Sequence, residues 1–232
     1  MITPQQRHTI DCIVSIFETG KIPTASSYST VTILQDGAGI SYGKHQSTDG
    51  SNSLDKIVTK YIAENGSKAP LLKQYVDELV RNDSTKVDPK NPPSWAKDLM
   101  SILKEAGADP IMQKAQDSVF DENYWIPAYN KGVSMGMVLP LTYAVLYDTC
   151  IHSGIGRIDK LRDMFAELPP IKGGDEKKWC YAFLAARRSW LLSNPNPLVQ
   201  RTIYRIDSLK LLADKAVWDL KTPIIVRSVT IS

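Results

Sequence analysis

The stretch IFETGKIPTASSYSTVTILQDGAGISYGKHQST, residues 16–48, contains the point at which an apolar helical pattern ends and a pattern of short strands begins. Apolar residues recur at helical spacing up to Phe17, and Gly20 provides a stop signal, which predicts a first helix over about Pro4–Thr19. Alternating apolar residues around the turn Asp36–Gly39 predict two short antiparallel strands. The stretch therefore predicts a small β element that follows directly on a helix.

Beyond residue 54 the apolar pattern is helical almost throughout, apart from a proline-bearing polar connector at 82–95 and a C-terminal strand. The pattern at 137–154 is apolar on nearly all sides, which predicts a helix buried at the centre of the molecule. Two further helices are predicted over about Asp175–Leu192 and Leu198–Lys215. The predicted fold is mainly α with a small antiparallel β element, in two lobes with a cleft between them. The lobes form a single domain over 1–232, with the β-containing lobe at about 20–85 and the helical lobe at 1–19 and about 94–232.

The composition excludes several classes of protein. The 232-residue chain has 43% hydrophobic and 23% charged residues and a net charge of +3, which is ordinary for a globular protein. No lysine- or arginine-rich block indicates a nucleic-acid partner, and no apolar run reaches the roughly 18–20 residues that cross a bilayer. The three cysteines are far apart, and the metal-binding spacings Cys-x-x-Cys and His-x-x-x-His do not occur. We therefore expect buried thiols, no metal or other cofactor, no membrane insertion and a monomer.

Two carboxylates mark the transition from helix to turn. Glu18 closes the predicted first helix, and Asp36 opens the glycine-rich turn 18 positions later. Two acids with different pKa values can hydrolyse a glycosidic bond, because one donates a proton to the leaving oxygen and the other activates a nucleophile. A helix C-terminus and apolar neighbours favour the neutral form of Glu18, whereas the amides of Gly37 and Gly39 favour the charged form of Asp36. By itself the same pattern is also typical of a solvated helix end and a common Asp-Gly turn.

The wider pattern resembles glycoside hydrolase family 46. The segments IFETG, LQDGAGISYG and AQDSVFDENYWIPAYNKGVSMGMVLPLTYAVLYDTCIHSG, followed by FLAARRSWL and IYRIDSL, are similar to segments of the bacterial chitosanases of that family, which belongs to the lysozyme-like superfamily. The resemblance implies a two-lobed, lysozyme-like α+β fold of the chitosanase type. It also implies an endo-acting glycosidase that cleaves β-1,4 linkages of an amino-sugar polysaccharide with inversion. An inverting enzyme keeps its two carboxyl groups about 6.5–9.5 Å apart, which leaves room for a water.

The resemblance implies roles for individual residues. Glu18 would be the general acid and Asp36 the general base, and Ser41 would help to hold the attacking water. A buried charge network would lie behind the acid and orient it, although a plain salt bridge between lobes is the alternative interpretation. Its members would be Asp148, Arg205 and either Arg187 or its neighbour Arg188.

The chain departs from the family around the glycine-rich segment. Family members carry another Asp shortly after this segment, where the chain has Asn52 and Ser53. Lys44 and His45 occupy positions where the family has small or apolar residues. Because chitosan is a polycation and peptidoglycan has acidic peptide stems, these two basic residues narrowly favour peptidoglycan over chitosan, and loop variation is the alternative. The residues expected to contact the substrate are Tyr42, Lys44, His45, Gln46 and Asn52.

The expected partner is therefore a polysaccharide, with lysozyme- or endolysin-like lysis of the cell wall favoured and hydrolysis of chitosan as the alternative. An inhibitor, immunity or delivery protein is a further candidate partner. A non-catalytic glycan-binding protein of the same fold is the second alternative, but such a module needs no acid, base and water-holding hydroxyl together. The N-terminal segment lacks the pattern of a secretory signal. We therefore expect synthesis in the cytoplasm and action in the periplasm or outside the cell, after non-classical export or phage-type release.

Overall fold

The computed structural model describes residues 1–34 and 36–232, which form a mainly helical protein with two small antiparallel sheets. Short 3₁₀ segments and one π-helical turn, Asp121–Trp125, connect several of the helices. The mainly α fold with a small antiparallel β element, which the sequence predicts, is confirmed. The helices are α1 (Pro4–Thr19), α2 (Leu54–Ala63), α3 (Ala69–Leu72), α4 (Val76–Val80), α5 (Ser94–Ala106), α6 (Pro110–Phe120), α7 (Ile126–Ser134), α8 (Pro140–Ser153), α9 (Gly156–Arg162), α10 (Glu176–Leu192), α11 (Pro197–Gln200) and α12 (Tyr204–Asp214), and the strands are β1 (Val31–Ile33), β2 (Ile40–Tyr42), β3 (Ser47–Thr48), β4 (Ile224–Val226) and β5 (Val229–Ile231).

The chain divides into two compact units. The first unit combines Met1–Ile22 with Tyr124–Ser232, and the second unit is the intervening segment Pro23–Asn123. The second unit contains the sheet β1–β2–β3, and the first contains the hairpin β4–β5. Glu18 therefore belongs to the first unit and Asp36 to the second.

The second unit extends further along the chain than the sequence pattern predicted. The β-containing lobe was expected to end near residue 85, but the unit continues to Asn123. Helices α5 and α6 pack with strand β2 and helix α2 in one hydrophobic core, to which they contribute Leu99 and Met112 among others. This shared core explains why the polar connector at 82–95 lies inside the unit.

Helix α1 has the bounds that the sequence predicts, and it places Glu18 in its last turn. The Thr3 hydroxyl accepts a hydrogen bond from the Gln6 amide at 3.2 Å, and the Gln6 side chain accepts one from the Thr3 amide at 2.9 Å. This reciprocal capping satisfies two amides that the first turn leaves without helical partners. Gly20 ends the helix in the left-handed conformation at φ 75°, where its amide donates to the Ile16 carbonyl at 3.0 Å.

The glycine-rich turn Asp36–Gly39 lies between the first two strands of a three-stranded sheet. Strand β1 pairs antiparallel with β2, with Ile33 opposite Ile40, and β2 pairs antiparallel with β3, with Tyr42 opposite Ser47. The two strands predicted from the alternating pattern are confirmed. The third strand was not predicted, because its two residues are polar and too few to form a pattern.

The first unit is built around α8, whose residues Pro140–Cys150 are all buried, as the sequence predicts. Helix α10 also matches its prediction closely. The predicted helix over Leu198–Lys215 is instead interrupted by a 3₁₀ segment, Arg201–Ile203. The Asn196 side chain caps the short helix that precedes this segment by accepting from the Leu198 amide at 2.9 Å.

Three features bear on broader classes of protein. The cysteines Cys12, Cys150 and Cys180 are buried, as predicted. Burial raises the pKa of the Cys150 thiol to about 11, so this thiol stays protonated at neutral pH. Among the residues that the structure describes, no helix is long and apolar enough to cross a bilayer.

Candidate active site

The Glu18 carboxylate is accessible to solvent and is bound by an arginine side chain. The Glu18 side chain is 47% exposed, and its Oε1 accepts a 2.6 Å hydrogen bond from Nη2 of Arg205. The neighbouring side chains of Ile16 and Phe17 are buried in the core. Glu18 can therefore reach a ligand while a guanidinium group fixes its orientation.

The C-terminal end of α1 is also fastened through its backbone. The Tyr204 hydroxyl donates a 2.8 Å hydrogen bond to the carbonyl of Phe17, the residue immediately before Glu18. The Tyr204 ring meets the Phe17 ring edge to face, with ring centroids 6.2 Å apart. The guanidinium of Arg227 lies 3.9 Å from the centre of the same tyrosine ring. No sequence signal linked Tyr204 to Glu18, because the two residues are far apart in the chain.

Asp148 is the centre of a buried ion network in the first unit. Arg187 Nη1 donates to Asp148 Oδ2 at 2.7 Å, and Arg205 donates to Asp148 Oδ1 from Nε at 3.0 Å and from Nη2 at 2.6 Å. Arg205 thus joins Asp148 to Glu18 through the same Nη2 atom. The network places Glu18, Arg205, Asp148 and Arg187 in a series of alternating charge.

The charges of this network stabilise one another against the cost of burial. Burial by itself would raise the pKa of Asp148, but the guanidinium groups of Arg187 and Arg205 lower it below its usual value. Burial opposes the charge on Arg205 as well, but Asp148 and then Glu18 raise the pKa of Arg205 above its usual value. Asp148 is therefore an ionised carboxylate between two guanidinium groups.

Arg187, rather than its neighbour Arg188, belongs to the network. Arg187 is fully buried, whereas Arg188 pairs with Asp207 at 3.0 Å in an exposed salt bridge. The two arginines project from different faces of α10, because successive residues on a helix are about 100° apart. The structure thereby decides between the two arginines that the sequence left open.

Asp36 is exposed in the turn that precedes β2, and a backbone amide orients its carboxylate. Its Oδ1 accepts a 3.0 Å hydrogen bond from the amide of Ala38. The sequence pattern predicted that the amides of Gly37 and Gly39 would make this contact, but the donor is the residue between them. An aspartate that bonds the amide two positions on is a common turn former. Both glycines have positive φ, at 77° and 75°, which allows the backbone to reverse here.

Ser41 and Tyr42 lie side by side in β2, and both are buried. Ser41 is 4% exposed and pairs with Thr32 on one side and Thr48 on the other. Tyr42 is fully buried in the hydrophobic core of the second unit, packed with residues of α2, α5 and α6. The expectation that Tyr42 contacts the substrate is therefore corrected: its ring fills the core.

Lys44 and His45 both bind Asp117 of α6. Lys44 Nζ lies 3.0 Å from Asp117 Oδ1, and His45 Nε2 lies 2.9 Å from the same oxygen. The Tyr28 hydroxyl donates to Asp117 Oδ2 at 2.6 Å, and the His45 ring stacks on Phe120 with centroids 3.8 Å apart. Burial opposes the charge on Asp117, but the contacts from His45, Tyr28 and Lys44 lower its pKa to about 2. The basic pair expected to contact acidic substrate groups is thus engaged within the protein.

Gln46 and Asn52 remain exposed, and both adopt positive φ, at 51° and 52°. The Gln46 side-chain amide donates to the Gly43 carbonyl at 2.9 Å, and the Asn52 carbonyl oxygen accepts from the Asn82 amide group at 3.0 Å. Their side chains stabilise the loops to which they belong. Their exposure is consistent with the predicted substrate contact, which stays a prediction.

Comparisons with known proteins agree with this architecture. A family model described as glycosyl hydrolase family 46 matches residues 12–224. The chain is 30% identical over 241 residues to a chitosanase of Bacillus subtilis (strain 168). This alignment covers 98% of this chain and 83% of the relative. A second relative, a chitosanase of Nocardioides sp. (strain N106), is 24% identical over 196 residues, which covers 82% of this chain and 67% of the relative.

Solved chitosanases have the same fold. A mutant chitosanase from Bacillus subtilis MY002, complexed with 6 GlcN, is 28% identical with a TM-score of 0.80, covering 98% of this chain and 96% of that one. A chitosanase from Gynuella sunshinyii in complex with chitotetraose is 25% identical with a TM-score of 0.80, covering 100% and 98%. These similarities confirm the predicted chitosanase-type fold and show that the chain is a glycosidase. The match along nearly the whole sequence and the shared fold lead to one assignment: the chain belongs to glycoside hydrolase family 46.

Proposed function

We propose that this protein is an endo-acting chitosanase, which hydrolyses β-1,4 linkages between glucosamine units of chitosan. The observation that carries the proposal is the similarity over nearly the full chain to chitosanases, one of which was solved with 6 GlcN. The peptidoglycan interpretation favoured by Lys44 and His45 finds no such support. The alternative stated from the sequence, chitosan, is therefore the better one.

The electrostatics of the second unit support the same substrate. Lys44 and His45 were the reason to favour acidic peptide stems, but both are bound to Asp117. A basic group that is already paired has less to gain from a new anionic partner, because it must give up its existing contacts. Acidic residues also outnumber lysines and arginines within Pro23–Asn123. This excess suits a polycationic substrate.

The proposed reaction is a single displacement at the anomeric carbon. Glu18 donates its proton to the glycosidic oxygen as the bond to the leaving sugar breaks. Asp36 accepts a proton from a water molecule, whose oxygen forms the new bond on the opposite face of the sugar ring. Ser41 helps to hold that water. The products are two shorter oligomers, and the configuration at the new reducing end is inverted.

The ion network would serve this reaction by orienting the acid. Arg205 contacts Glu18 directly and is itself fixed by Asp148, which is fixed in turn by Arg187. Because all three network residues are buried, their side chains have little freedom to move. The position of the Glu18 carboxylate is thereby determined by groups that do not touch the substrate.

The proposal predicts which polymer is cut. We expect the purified protein to release reducing ends from highly deacetylated chitosan and to release none above background from purified peptidoglycan sacculi. Because the attack is internal, the viscosity of the chitosan solution should fall early, while few reducing ends have formed. Mass spectrometry should identify glucosamine oligomers as the products.

Two results would contradict this proposal. Release of reducing ends from sacculi without release from chitosan would restore the peptidoglycan interpretation. Binding of chitosan without any cleavage would instead identify a non-catalytic glycan-binding protein. A lysozyme digest of the same sacculi and a heat-inactivated sample serve as controls for substrate quality and for non-enzymatic cleavage.

A further inference from the structure

Asp49 lies shortly after the glycine-rich segment, but it cannot serve the substrate. Its side chain is fully buried. Its Oδ2 accepts two hydrogen bonds from Ser84, one from the backbone amide at 3.1 Å and one from the hydroxyl at 2.6 Å. Its Oδ1 has no hydrogen-bond partner among the residues that the structure describes. Burying a carboxyl group with one oxygen unsatisfied costs free energy, and the two hydrogen bonds from Ser84 offset part of this cost.

Ser84 links Asp49 to residues 38–40. This segment lies between Asp36, the proposed base, and Ser41, which is proposed to hold the attacking water. The Ser84 hydroxyl oxygen accepts a 2.9 Å hydrogen bond from the amide of Ile40, and the hydroxyl proton is directed to Asp49. The amide of Asp49 donates to the Ile40 carbonyl at 3.0 Å, and the amide of Gly50 donates to the Ala38 carbonyl at 3.0 Å. Both backbone polar groups of Ile40 are thus bound within one buried cluster.

The turn also lies directly against the segment that carries Ser84. A Cβ atom added to Gly39 would overlap Ser84 Oγ and would lie 2.9 Å from the amide nitrogen of Thr85. Glycine is therefore required at this position both by its φ of 75° and by the close approach. The Gly39 backbone therefore lies directly against Ser84 and Thr85 of the 3₁₀ segment Asp83–Lys86.

We propose that Asp49 and Ser84 are positioning residues for the proposed hydrolysis, and that together they fix Asp36 relative to Ser41. The segment they hold, residues 38–40, connects these two functional side chains. At one end of it the Ala38 amide orients the Asp36 carboxylate at 3.0 Å, and at the other end Ile40 immediately precedes Ser41. The inference rests on the proposed roles of Asp36 and Ser41.

The charges that surround Asp49 decide which of the two residues is the better one to substitute. Burial raises the pKa of Asp49, the hydrogen bonds from Ser84 oppose this shift, and the carboxylates of Asp55 and Asp83 add to it. A variant that changes Asp49 itself would therefore alter charge and hydrogen bonding together. Ser84 is uncharged, so its replacement by alanine removes the hydroxyl link between Asp49 and Ile40 while the Asp49 carboxyl group and the amide bond from residue 84 stay in place.

The decisive variant is Ser84→Ala, with Ser67→Ala as its matched control. Ser67 donates to a single carboxylate oxygen of Asp109 from its amide at 2.9 Å and from its hydroxyl at 2.8 Å, which is the same arrangement within the same unit. We expect Ser84→Ala to lower kcat on a glucosamine oligomer roughly 10- to 100-fold with KM within about twofold, since misplacing a reacting group affects the chemical step. Ser67→Ala should leave both constants unchanged.

A substrate with a good leaving group distinguishes a defect in the proposed base from a defect in the proposed acid. Fluoride departs with little help from a proton donor, so a glucosamine-oligomer β-fluoride bypasses much of the role of Glu18 but still needs an activated water. We expect the kcat defect of Ser84→Ala to persist on this substrate. If Ser84→Ala instead has the kcat of the wild type on the fluoride substrate, the substitution impairs proton donation by Glu18, and the proposal is overturned.

Hydrogen exchange tests the structural half of the proposal without reference to activity. The Ile40 amide should be protected in the wild type and should exchange at least about tenfold faster in Ser84→Ala, since its acceptor has been removed. Unchanged exchange of Ile40 would overturn the proposal whether or not the protein hydrolyses chitosan. Faster exchange with an unchanged kcat would overturn the positioning role. An inactive wild type with faster exchange in the variant would instead refute the proposed function and, with it, any catalytic meaning of the pair.

Discussion

Replacing Glu18 with glutamine is expected to lower kcat on chitosan roughly 10²- to 10⁴-fold, the range over which a positioned proton donor accelerates a reaction. Glutamine has nearly the same shape and keeps an oxygen that can accept the hydrogen bond from Arg205. It cannot release a proton to the glycosidic oxygen, so the leaving sugar would have to depart as an alkoxide. Steady-state kinetics on a defined glucosamine oligomer measure the loss.

Two controls make the Glu18→Gln result specific. Glu122→Gln makes the same chemical change at an exposed glutamate that is also paired with a cation, Lys60, at 2.8 Å, and it should retain full activity. On the β-fluoride substrate, Glu18→Gln should recover most of its rate, because that leaving group needs little protonation. Equal activity of Glu18→Gln and wild type on chitosan, or an equal loss on both substrates, would contradict the assignment of Glu18 as the acid.

The largest effect on stability is expected for Asp148→Asn. This change removes the negative charge between two buried guanidinium groups, so Arg187 loses its carboxylate partner and Arg205 keeps only its contact with the half-exposed Glu18 among the described residues. Breaking a buried ion pair from one side costs about 3–5 kcal/mol. For a chain of this length such a loss lowers the melting temperature by roughly 10 °C. Thermal unfolding followed by circular dichroism measures the change.

The expected cost of Asp148→Asn depends on pH in a defined direction. Because the two arginines lower the pKa of Asp148 in the folded state, its contribution is present above the unfolded value of about 3.9 and is lost as the pH falls through the folded value. The difference in the free energy of unfolding between wild type and Asp148→Asn should therefore be largest near neutral pH and should decrease below about pH 4.

Asp207→Asn provides the matched comparison for Asp148→Asn. Asp207 pairs with Arg188 at the surface, where both side chains are about half exposed, and exposed pairs contribute at most about 1 kcal/mol. A small effect at Asp148, similar to that at Asp207, would show that the network does not stabilise the first unit.

Features of the fold that depend on neighbouring residues were accessible from the sequence. The bounds of α1 follow from the cap at its start and Gly20 at its end, both of which act within a few residues. The buried helix α8 follows from its apolar composition. The break between α11 and α12 was missed, because the apolar pattern continues through Arg201–Ile203 although the backbone does not stay α-helical.

Features that depend on distant partners were not accessible in the same way. Lys44 and His45 appeared to be free basic groups, because nothing in the sequence shows that Asp117, more than seventy positions away, binds both of them. Tyr42 appeared to be a candidate for sugar contact, because a short strand does not reveal which of its faces are covered. Ser84 lay within a segment interpreted as a connector. In each case a tertiary contact decided the role of the side chain.

The most direct test of the central claim, that Glu18 and Asp36 act as acid and base in one displacement by water, is the anomeric configuration of the first product. Proton NMR during the early minutes of hydrolysis of a glucosamine oligomer distinguishes the two anomers before they equilibrate. A β-1,4 linkage cut by direct attack of water yields the α-anomer first, which is the result the account predicts. Initial formation of the β-anomer would show a double displacement through a covalent intermediate and would contradict the assignment of Asp36 as a base.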